Sequence, residues 1–96
     1  MRRFFLVSDD IVNDKRRNRV CKTLMDYGDR VQYSVFCCQL NDRELLQLRE
    51  KLRNKIHQIE DQVLFVDAGA VESSKPMPEI EYIGRTWAPE PRVQII

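Results

Sequence analysis

At residues 30–40 the chain has the sequence Arg30-Val31-Gln32-Tyr33-Ser34-Val35-Phe36-Cys37-Cys38-Gln39-Leu40. This composition is strongly β, because valine, tyrosine and phenylalanine suit a pleated, half-buried surface. The stretch is long for one strand, and a tight turn near Tyr33-Ser34 would divide it into a short strand and a longer one. We therefore predict two consecutive strands here.

A strand and a helix precede this pair. Phe4-Phe5-Leu6-Val7 is a continuous apolar run without alternating polar residues, which predicts a strand buried on both faces. The helix after it can begin at Asn13 or Asp14, whose side-chain oxygens accept hydrogen bonds from free backbone N–H groups. Gly28 follows the helical pattern and can end the helix, because glycine adopts positive φ readily.

A helix and a strand follow the pair. Asn41 and Glu44 have the spacing of a capping box, and leucines and isoleucines at helical spacing predict a helix over residues 42–59. Residues 63–66 are a second wholly apolar strand. The order βαββαβ is that of the ferredoxin-like fold, an α+β architecture with two helices on one face of a four-stranded antiparallel sheet.

The two apolar strands leave one face of this sheet without a cover. Residues 4–7 and 63–66 are apolar at successive positions, yet the helices cover only one side of the sheet. A second copy can cover the other side through a two-fold interface. We therefore predict a homodimer packed sheet to sheet.

The C-terminal part differs in composition from the rest. All four prolines lie between residues 76 and 91. The alternating residues 79–83 among them predict an extra strand at a sheet edge, where it would pair with the partner's sheet. We assign residues 1–84 to the ferredoxin-like domain and residues 85–96 to a C-terminal tail.

Length and composition exclude several classes of protein. No apolar run approaches the roughly 20 residues of a membrane span, and the run after Met1-Arg2-Arg3 is too short for a signal peptide. The three cysteines have no CxxC spacing, which excludes a disulfide scaffold and a zinc ribbon. Their odd number fits a reducing compartment, so we expect a cytoplasmic protein without a membrane partner.

The net charge of +1 conceals a gradient along the chain. Residues 1–30 have a balance of +3, residues 31–60 of +1 and residues 61–96 of −3. The basic excess is concentrated in the first helix, at Lys15, Arg16, Arg17, Arg19 and Lys22. A polyanion would meet the protein there, although a solvated helix face is the alternative explanation.

The candidate acids are Asp9 and Asp10, where the first strand ends. Carboxylates at a strand end are suitable ligands for Mg²⁺, a hard cation that prefers oxygen. Because strand side chains alternate between faces, Asp9 and Asp10 should not both point at one site. If a two-fold axis passes nearby, two protomers would share one metal; otherwise these carboxylates only begin the turn and cap the helix.

Cysteine and histidine side chains are weaker candidates for chemistry. Cys37 and Cys38 are adjacent in a strand, so one should face each way, and we place no activating base beside either thiol. His57 has no cysteine or histidine at ligand spacing and is expected to face solvent on the second helix.

Two motifs resemble those of the Cas2 family of CRISPR-associated proteins. In that family an Asp-Ile pair precedes Asp-Lys-Arg-Arg, and a Gly-x-Arg-Val-Gln-x-Ser-Val-Phe segment comes later. The matching stretches here are Asp10-Ile11 with Asp14-Lys15-Arg16-Arg17, and Gly28-Asp29-Arg30-Val31-Gln32-Tyr33-Ser34-Val35-Phe36. The similarity in order and spacing extends over residues 4–84.

The resemblance implies a ferredoxin-like homodimer whose C-terminal strand pairs with the partner's sheet. It also implies a role in acquiring new spacers, in which the dimer bridges two dimers of the CRISPR integrase in a heterohexamer-type complex and holds the incoming duplex DNA. Several members of the family are described as metal-dependent nucleases that act on RNA or on double-stranded DNA.

The resemblance also implies site residues. The catalytic, metal-binding aspartate of the family falls on Asp10, with Mg²⁺ or Mn²⁺ shared across the dimer. Asp9 stands where the family usually has an aromatic residue, which makes it a second candidate ligand. Together with the charge pattern, the match gives five candidate nucleic-acid contacts and two residues near the site: Arg16, Arg17, Arg19, Lys22 and Arg30, and Ser34 and Phe36.

These observations lead to one functional hypothesis and two alternatives. The hypothesis is a spacer-acquisition protein that binds duplex DNA beside its integrase and has an Mg²⁺-dependent endonuclease or endoribonuclease activity. The first alternative is a non-catalytic DNA-binding scaffold of the integrase complex. The second is a toxin-like ribonuclease with the same fold. Single-stranded RNA is the alternative to duplex DNA as the nucleic-acid partner.

Overall fold

The computed structural model describes residues 1–72, 78 and 80–85. The elements are β1 (Arg3–Asp10), α1 (Asp14–Met25), β2 (Gly28–Gln32), β3 (Val35–Leu40), α2 (Asp42–Arg53) and β4 (Gln62–Ala70). The strands form one antiparallel sheet in the order β2-β3-β1-β4. The predicted ferredoxin-like α+β fold is therefore confirmed. In the described residues, no helix has both the length and the apolar character needed to cross a membrane.

The predicted division of residues 30–40 is confirmed. β2 ends at Gln32, β3 begins at Val35, and the turn between them is Tyr33-Ser34. The backbone N–H of Asp9 donates to the Ser34 carbonyl at 2.9 Å. This bond joins the turn to the C-terminal end of β1, where the candidate carboxylates lie.

α1 begins as predicted but ends earlier. The Asn13 side chain accepts from the Arg16 N–H and caps the helix, whereas Asp26 in a right-handed conformation ends it. Gly28 is the first residue of β2 and does not have positive φ. Glycine is required there for another reason: a Cβ would lie 2.6 Å from the Cys38 Sγ in the neighbouring strand.

α2 begins with the predicted capping box between Asn41 and Glu44. The helix ends at Arg53, so the prediction that it continues to residue 59 was wrong. Polar side chains bond locally to the backbone beyond this point, which competes with the helix. The Gln58 amide donates to the Arg53 carbonyl, and the His57 ring accepts from two following N–H groups. His57 is exposed as expected, but in a turn rather than on the helix.

Two apolar clusters lie on the two faces of the sheet. The larger cluster lies under the helices and includes Val7, Leu24, Phe36, Cys38 and Leu48. The smaller one lies on the opposite face, where Phe4, Val31 and Cys37 pack with Val71 and Ile80. Cys37 and Cys38 thus face opposite ways, as predicted. Burial raises their thiol pKa values to about 11 and about 12, so neither is a nucleophile near neutral pH.

The face opposite the helices is only partly covered. Leu64 and Val66 of β4 lie directly opposite Ser8 and Leu6 of β1, so these residues share that face. The side chains of Leu64 and Val66 are 50% and 52% exposed. Half-exposed aliphatic side chains at the centre of a strand are suited to a contact with another surface.

The predicted strand at residues 79–83 falls partly outside the described residues, which omit Glu79. Residues 80–83 form no strand within the described part of this chain. Pairing with a partner's sheet edge stays a prediction, and so does the tail from residue 85, of which only Arg85 is described.

Candidate nucleic-acid and metal site

Asp10 is an exposed carboxylate on the open face of the sheet. It is the last residue of β1 and pairs with Gln62 of β4. Since side chains alternate along a strand, Asp10 lies on the same face as Ser8, Leu64 and Val66. Its carboxylate therefore stands at one end of the half-exposed apolar strip.

Asp9 occupies the other face. It is buried, and Val7, two residues before it on the same face of β1, belongs to the core under the helices. Burial raises the pKa of Asp9, while the nearby charges of Arg30 and Arg17 oppose this shift. The two carboxylates therefore do not converge, as strand alternation predicts, and this arrangement favours Asp10 over Asp9 as a ligand on the open face.

The described residues at this end of the sheet provide only part of a site for a divalent cation. Asp10 offers the carboxylate oxygens that Mg²⁺ and Mn²⁺ prefer. Among the residues in the described ranges, however, no three histidine, cysteine, aspartate or glutamate side chains lie together in one chain. A metal at Asp10 therefore needs ligands from a second copy or from the substrate.

Arg30 is engaged inside the chain. Its guanidinium donates to the Cys21 Sγ at 2.7 Å and lies 5.4 Å from the Tyr33 ring centre and 5.2 Å from the Phe36 ring centre. Phe36 is fully buried, so it supports Arg30 from the core. The sequence places Phe36 near the site, and the structure puts it beneath the site rather than at the surface.

Arg17 is held by the start of its own helix. It donates to the Asp14 carboxylate at 2.7 Å and to the Ile11 carbonyl at 3.0 Å. The ion pair with Asp14 raises the arginine's pKa. Arg17 thus fixes the connection between β1 and α1, immediately after Asp10.

Arg16 forms a clamp with a residue that sequence reasoning missed. Its Nε donates to Asp61 at 2.8 Å, and its terminal nitrogen reaches Glu60 at 3.2 Å. The fully buried Asp61 carboxylate also accepts from the backbone N–H groups of Val12 and His57. These bonds favour a structural role for Arg16 over the predicted phosphate contact, which stays a prediction.

No sequence signal indicates the Asp61 contact. Asp61 is 45 residues from Arg16 and looks like one acidic residue among several in an ordinary turn. Its role depends on the tertiary fold, which brings the start of β4 beside the start of α1.

The remaining candidate cations form an exposed stripe on α1. Lys15, Arg19 and Lys22 are exposed and follow i, i+4, i+7 spacing, which places them on one helix face. Within the described part of the chain, none of these three side chains is in an ion pair. We call Lys15, Arg19 and Lys22 the basic stripe.

Comparisons with known proteins identify the family. The family model for "CRISPR associated protein Cas2" matches residues 2–75. A CRISPR-associated endoribonuclease Cas2 of Geobacter sulfurreducens is 33% identical over 96 residues, covering 100% of this chain and 99% of that protein.

Solved structures show the same likeness. A hypothetical protein of Thermus thermophilus has a TM-score of 0.75 and 32% identity over 94% of this chain and 100% of that one. A crystal structure of a protein named cas2 has a TM-score of 0.74 and 27% identity over 100% of this chain and 99% of that one. The two sequence motifs, the sheet order and these matches agree, and the chain belongs to the Cas2 family of CRISPR-associated proteins.

Proposed function

We propose that this chain is a dimeric adaptation protein of a CRISPR system that binds duplex DNA during spacer acquisition. In this role it works in the cytoplasm beside the CRISPR integrase, in a heterohexamer-type complex. The observation that carries the proposal is the basic stripe, three exposed cations on one helix face that form no ion pair with the residues the structure describes. Membership of the family supports the CRISPR context.

The geometry of the basic stripe suits a phosphate backbone. Lys15 and Lys22 are seven residues apart, which corresponds to a distance of about 10 Å along the helix axis. Phosphates of one DNA strand follow each other about every 3.4 Å along the duplex axis, so this distance spans about three of them. The stripe is therefore long enough to follow a short run of consecutive phosphates. Contacts of this kind position a duplex without reading its sequence, which suits a protein that handles DNA of many sequences.

The salt dependence of duplex binding tests the stripe. Replacing Arg19 and Lys22 by alanine should weaken binding and flatten the plot of log affinity against log salt. Each lost phosphate contact changes the slope by about 0.9, so we expect a change of about two units for each protomer that contacts the duplex. Fluorescence anisotropy with a labelled duplex, from low to moderate salt, gives the slope.

The matched control is Arg43→Ala with Arg53→Ala, which removes the same charge from exposed positions on α2. This control should leave the slope almost unchanged. Equal slopes for the α1 and α2 variants would mean that duplex binding follows net charge alone, and the stripe would lose its assigned role.

A dimer is part of the same proposal. Leu64, Val66 and Asp10 share the open face of the sheet, and a second copy packed there would bury the aliphatic side chains. The same two-fold contact would bring Asp10 of each protomer toward the axis. This arrangement would bring a second carboxylate to Asp10, whereas no three potential ligand side chains lie together in the described residues of one chain.

Sedimentation velocity tests the dimer. Leu64→Lys with Val66→Lys would place four charges in a two-fold interface, and we expect the dimer dissociation constant to rise by about 100-fold or more. Leu46→Lys on α2, at a position that is 64% exposed, is the control and should leave the dimer unchanged. A wild-type protein that remains monomeric at micromolar concentration would contradict the proposal.

We further propose that the dimer is a metal-dependent endonuclease or endoribonuclease. Asp10 of both protomers would hold Mg²⁺ or Mn²⁺. Bound there, the cation would polarise a phosphate oxygen and lower the pKa of a bound water. The protein's own contribution is to hold Asp10 rigidly, since the Arg17 and Asp61 contacts fix the backbone that follows it.

A non-catalytic scaffold is the second candidate function. It is favoured by the position of Asp9, which is buried on the other face of the sheet and leaves Asp10 as the exposed one of the two candidate carboxylates of β1. In this case the basic stripe and the dimer keep their roles, and Asp10 only ends β1. Substitution of Asp10 separates the two functions.

A further inference from the structure

A groove lies between α2 and β4, on the helix side of the sheet. Its volume is about 220 Å³, and its apolar lining consists of Ile56, Val63 and Phe65. Phe65 pairs with Val7 of β1, which belongs to the core under the helices. The groove is therefore on the opposite side of the sheet from the proposed dimer contact, and none of its described lining residues belongs to α1.

The size of the groove indicates which kind of ligand it can hold. Sites for small organic ligands and cofactors typically enclose about 300 to 1,000 Å³, and this groove is smaller. An anchor residue at a contact between proteins fills a smaller, well-packed pocket with one side chain. The groove therefore suits a single apolar side chain of a partner protein better than a free small molecule.

The floor of the groove is apolar and incompletely covered. Ile56, Val63 and Phe65 pack against the larger core cluster but are only partly buried. Ile59, in the same turn as Ile56, is 89% exposed. Covering such side chains with another apolar surface is favourable, because it removes them from water. The floor therefore favours an occupant with an aliphatic or aromatic side chain.

The charge at the groove comes from Arg49. This arginine is exposed and forms no ion pair within the described part of the chain. Arg53, the other cation of the lining, is already paired with Glu50 at 3.0 Å. None of the described lining residues is acidic. A carboxylate beside the apolar anchor would complement Arg49, since a guanidinium can hold a carboxylate through two parallel hydrogen bonds.

The position of Arg49 disfavours nucleic acid as the occupant. Its guanidinium lies over the Phe65 ring, 5.8 Å from the ring centre. Proteins that bind single strands stack bases on the faces of aromatic rings, and here the guanidinium occupies such a face. Contacts to a duplex go mostly to phosphates and sugars, for which an apolar floor has no use. The combination of an apolar floor with one available cation favours a protein.

We propose that this groove docks an acidic peptide segment of a partner protein. One apolar side chain of the segment would lie on Ile56, Val63 and Phe65, and a neighbouring carboxylate would pair with Arg49. The inference goes beyond the proposed function, because this contact needs neither the basic stripe, nor the open face of the sheet, nor a metal. One dimer could thus hold a duplex and such a segment at the same time.

Charge reversal across the contact tests the proposal. Two short fluorescein-labelled peptides are compared by anisotropy with the intact chain, one alternating leucine with glutamate and one alternating leucine with lysine. Wild type should bind the glutamate peptide with a dissociation constant below about 1 mM. Arg49→Glu should weaken this binding by about tenfold or more and should bind the lysine peptide more tightly than wild type does.

Arg43→Glu is the matched control, because it makes the same charge change at an exposed position of α2 outside the groove. It should bind both peptides like wild type. The melting temperature of each variant shows that it is folded.

Four results would overturn the proposal. Wild type and Arg49→Glu could bind the glutamate peptide equally, or wild type could fail to bind it at about 1 mM. If Arg49→Glu raises the dimer dissociation constant and leaves peptide binding unchanged, a second copy fills the groove. If it changes the salt slope of duplex binding and leaves peptide binding unchanged, the groove contacts DNA.

Discussion

Asp10→Asn is expected to abolish Mg²⁺-dependent cleavage and to leave duplex DNA affinity unchanged or slightly higher. The substitution replaces the exposed carboxylate at the end of β1 by a neutral amide of nearly the same size. Loss of even a hydrogen-bond partner of a metal ligand lowers metal affinity or activity by about 10- to 100-fold. We therefore expect the cleavage rate to decrease by about 100-fold or more when the ligand itself is lost. Labelled RNA and duplex DNA, each with Mg²⁺ or with EDTA, provide the measurement.

Two further variants make this result specific. Asp26→Asn removes an exposed carboxylate at the other end of α1 and should cleave like wild type. Asp9→Asn should retain cleavage wherever it folds, because Asp9 lies on the other face of the sheet. Cleavage that survives Asp10→Asn and is lost in Asp9→Asn would show that the ligand assignment is reversed. Absence of cleavage in wild type under all conditions would favour the scaffold.

Asp61→Asn is expected to cause the largest loss of stability of any single change at this end of the molecule. The carboxylate is fully buried and accepts from Arg16, Val12 and His57. An amide in its place would set an N–H₂ group against these donors. Arg16 would lose its buried charged partner and keep the exposed Glu60. We expect the melting temperature to fall by at least about 10 °C.

Glu60→Gln is the matched control, because Glu60 contacts the same arginine from an exposed position. Exposed ion pairs contribute about 0.5 kcal/mol to the free energy of unfolding. The melting temperature of Glu60→Gln should therefore stay within a few degrees of wild type. Equal effects of Asp61→Asn and Glu60→Gln would show that the clamp is not a stabilising feature.

The Asp61 contacts also predict how stability depends on pH. Arg16 and the backbone N–H groups of His57 and Val12 hold the pKa of Asp61 well below its usual range. A carboxyl group whose pKa is lower in the folded than in the unfolded state stabilises the fold at pH values above its unfolded pKa, which for aspartate is about 4. This stabilisation is lost as the pH falls from there toward the pKa of the folded state. The difference in melting temperature between wild type and Asp61→Asn should therefore shrink below about pH 4.

The fold could be predicted from the sequence because its signals are local. The turn at Tyr33-Ser34 and the caps at Asn13 and Asn41 follow from the chemistry of neighbouring residues. The opposite orientation of Asp9 and Asp10 follows from strand alternation alone. These features need no information about distant parts of the chain.

The end of α2 and the role of Arg16 could not be predicted, because they depend on contacts that the sequence pattern does not reveal. The end of α2 was misplaced because local bonds of His57 and Gln58 replace helical ones, although the leucine and isoleucine spacing continues to Ile59. Arg16 looked like a surface cation because its partner, Asp61, is brought to it only by the tertiary fold. The basic residues of α1 therefore include both structural and exposed cations. Only the structure distinguishes the two kinds, through the exposure and the contacts of each side chain.

Spacer acquisition in cells tests whether the basic stripe holds DNA during adaptation. Cells that carry the CRISPR array and the integrase but lack this gene would receive wild type, Arg19→Ala with Lys22→Ala, or Arg43→Ala with Arg53→Ala. New spacers are then counted by amplifying the leader end of the array. We expect acquisition with wild type and with the α2 control, and loss of acquisition with the stripe variant. Acquisition at the wild-type rate by a folded, dimeric stripe variant would contradict it.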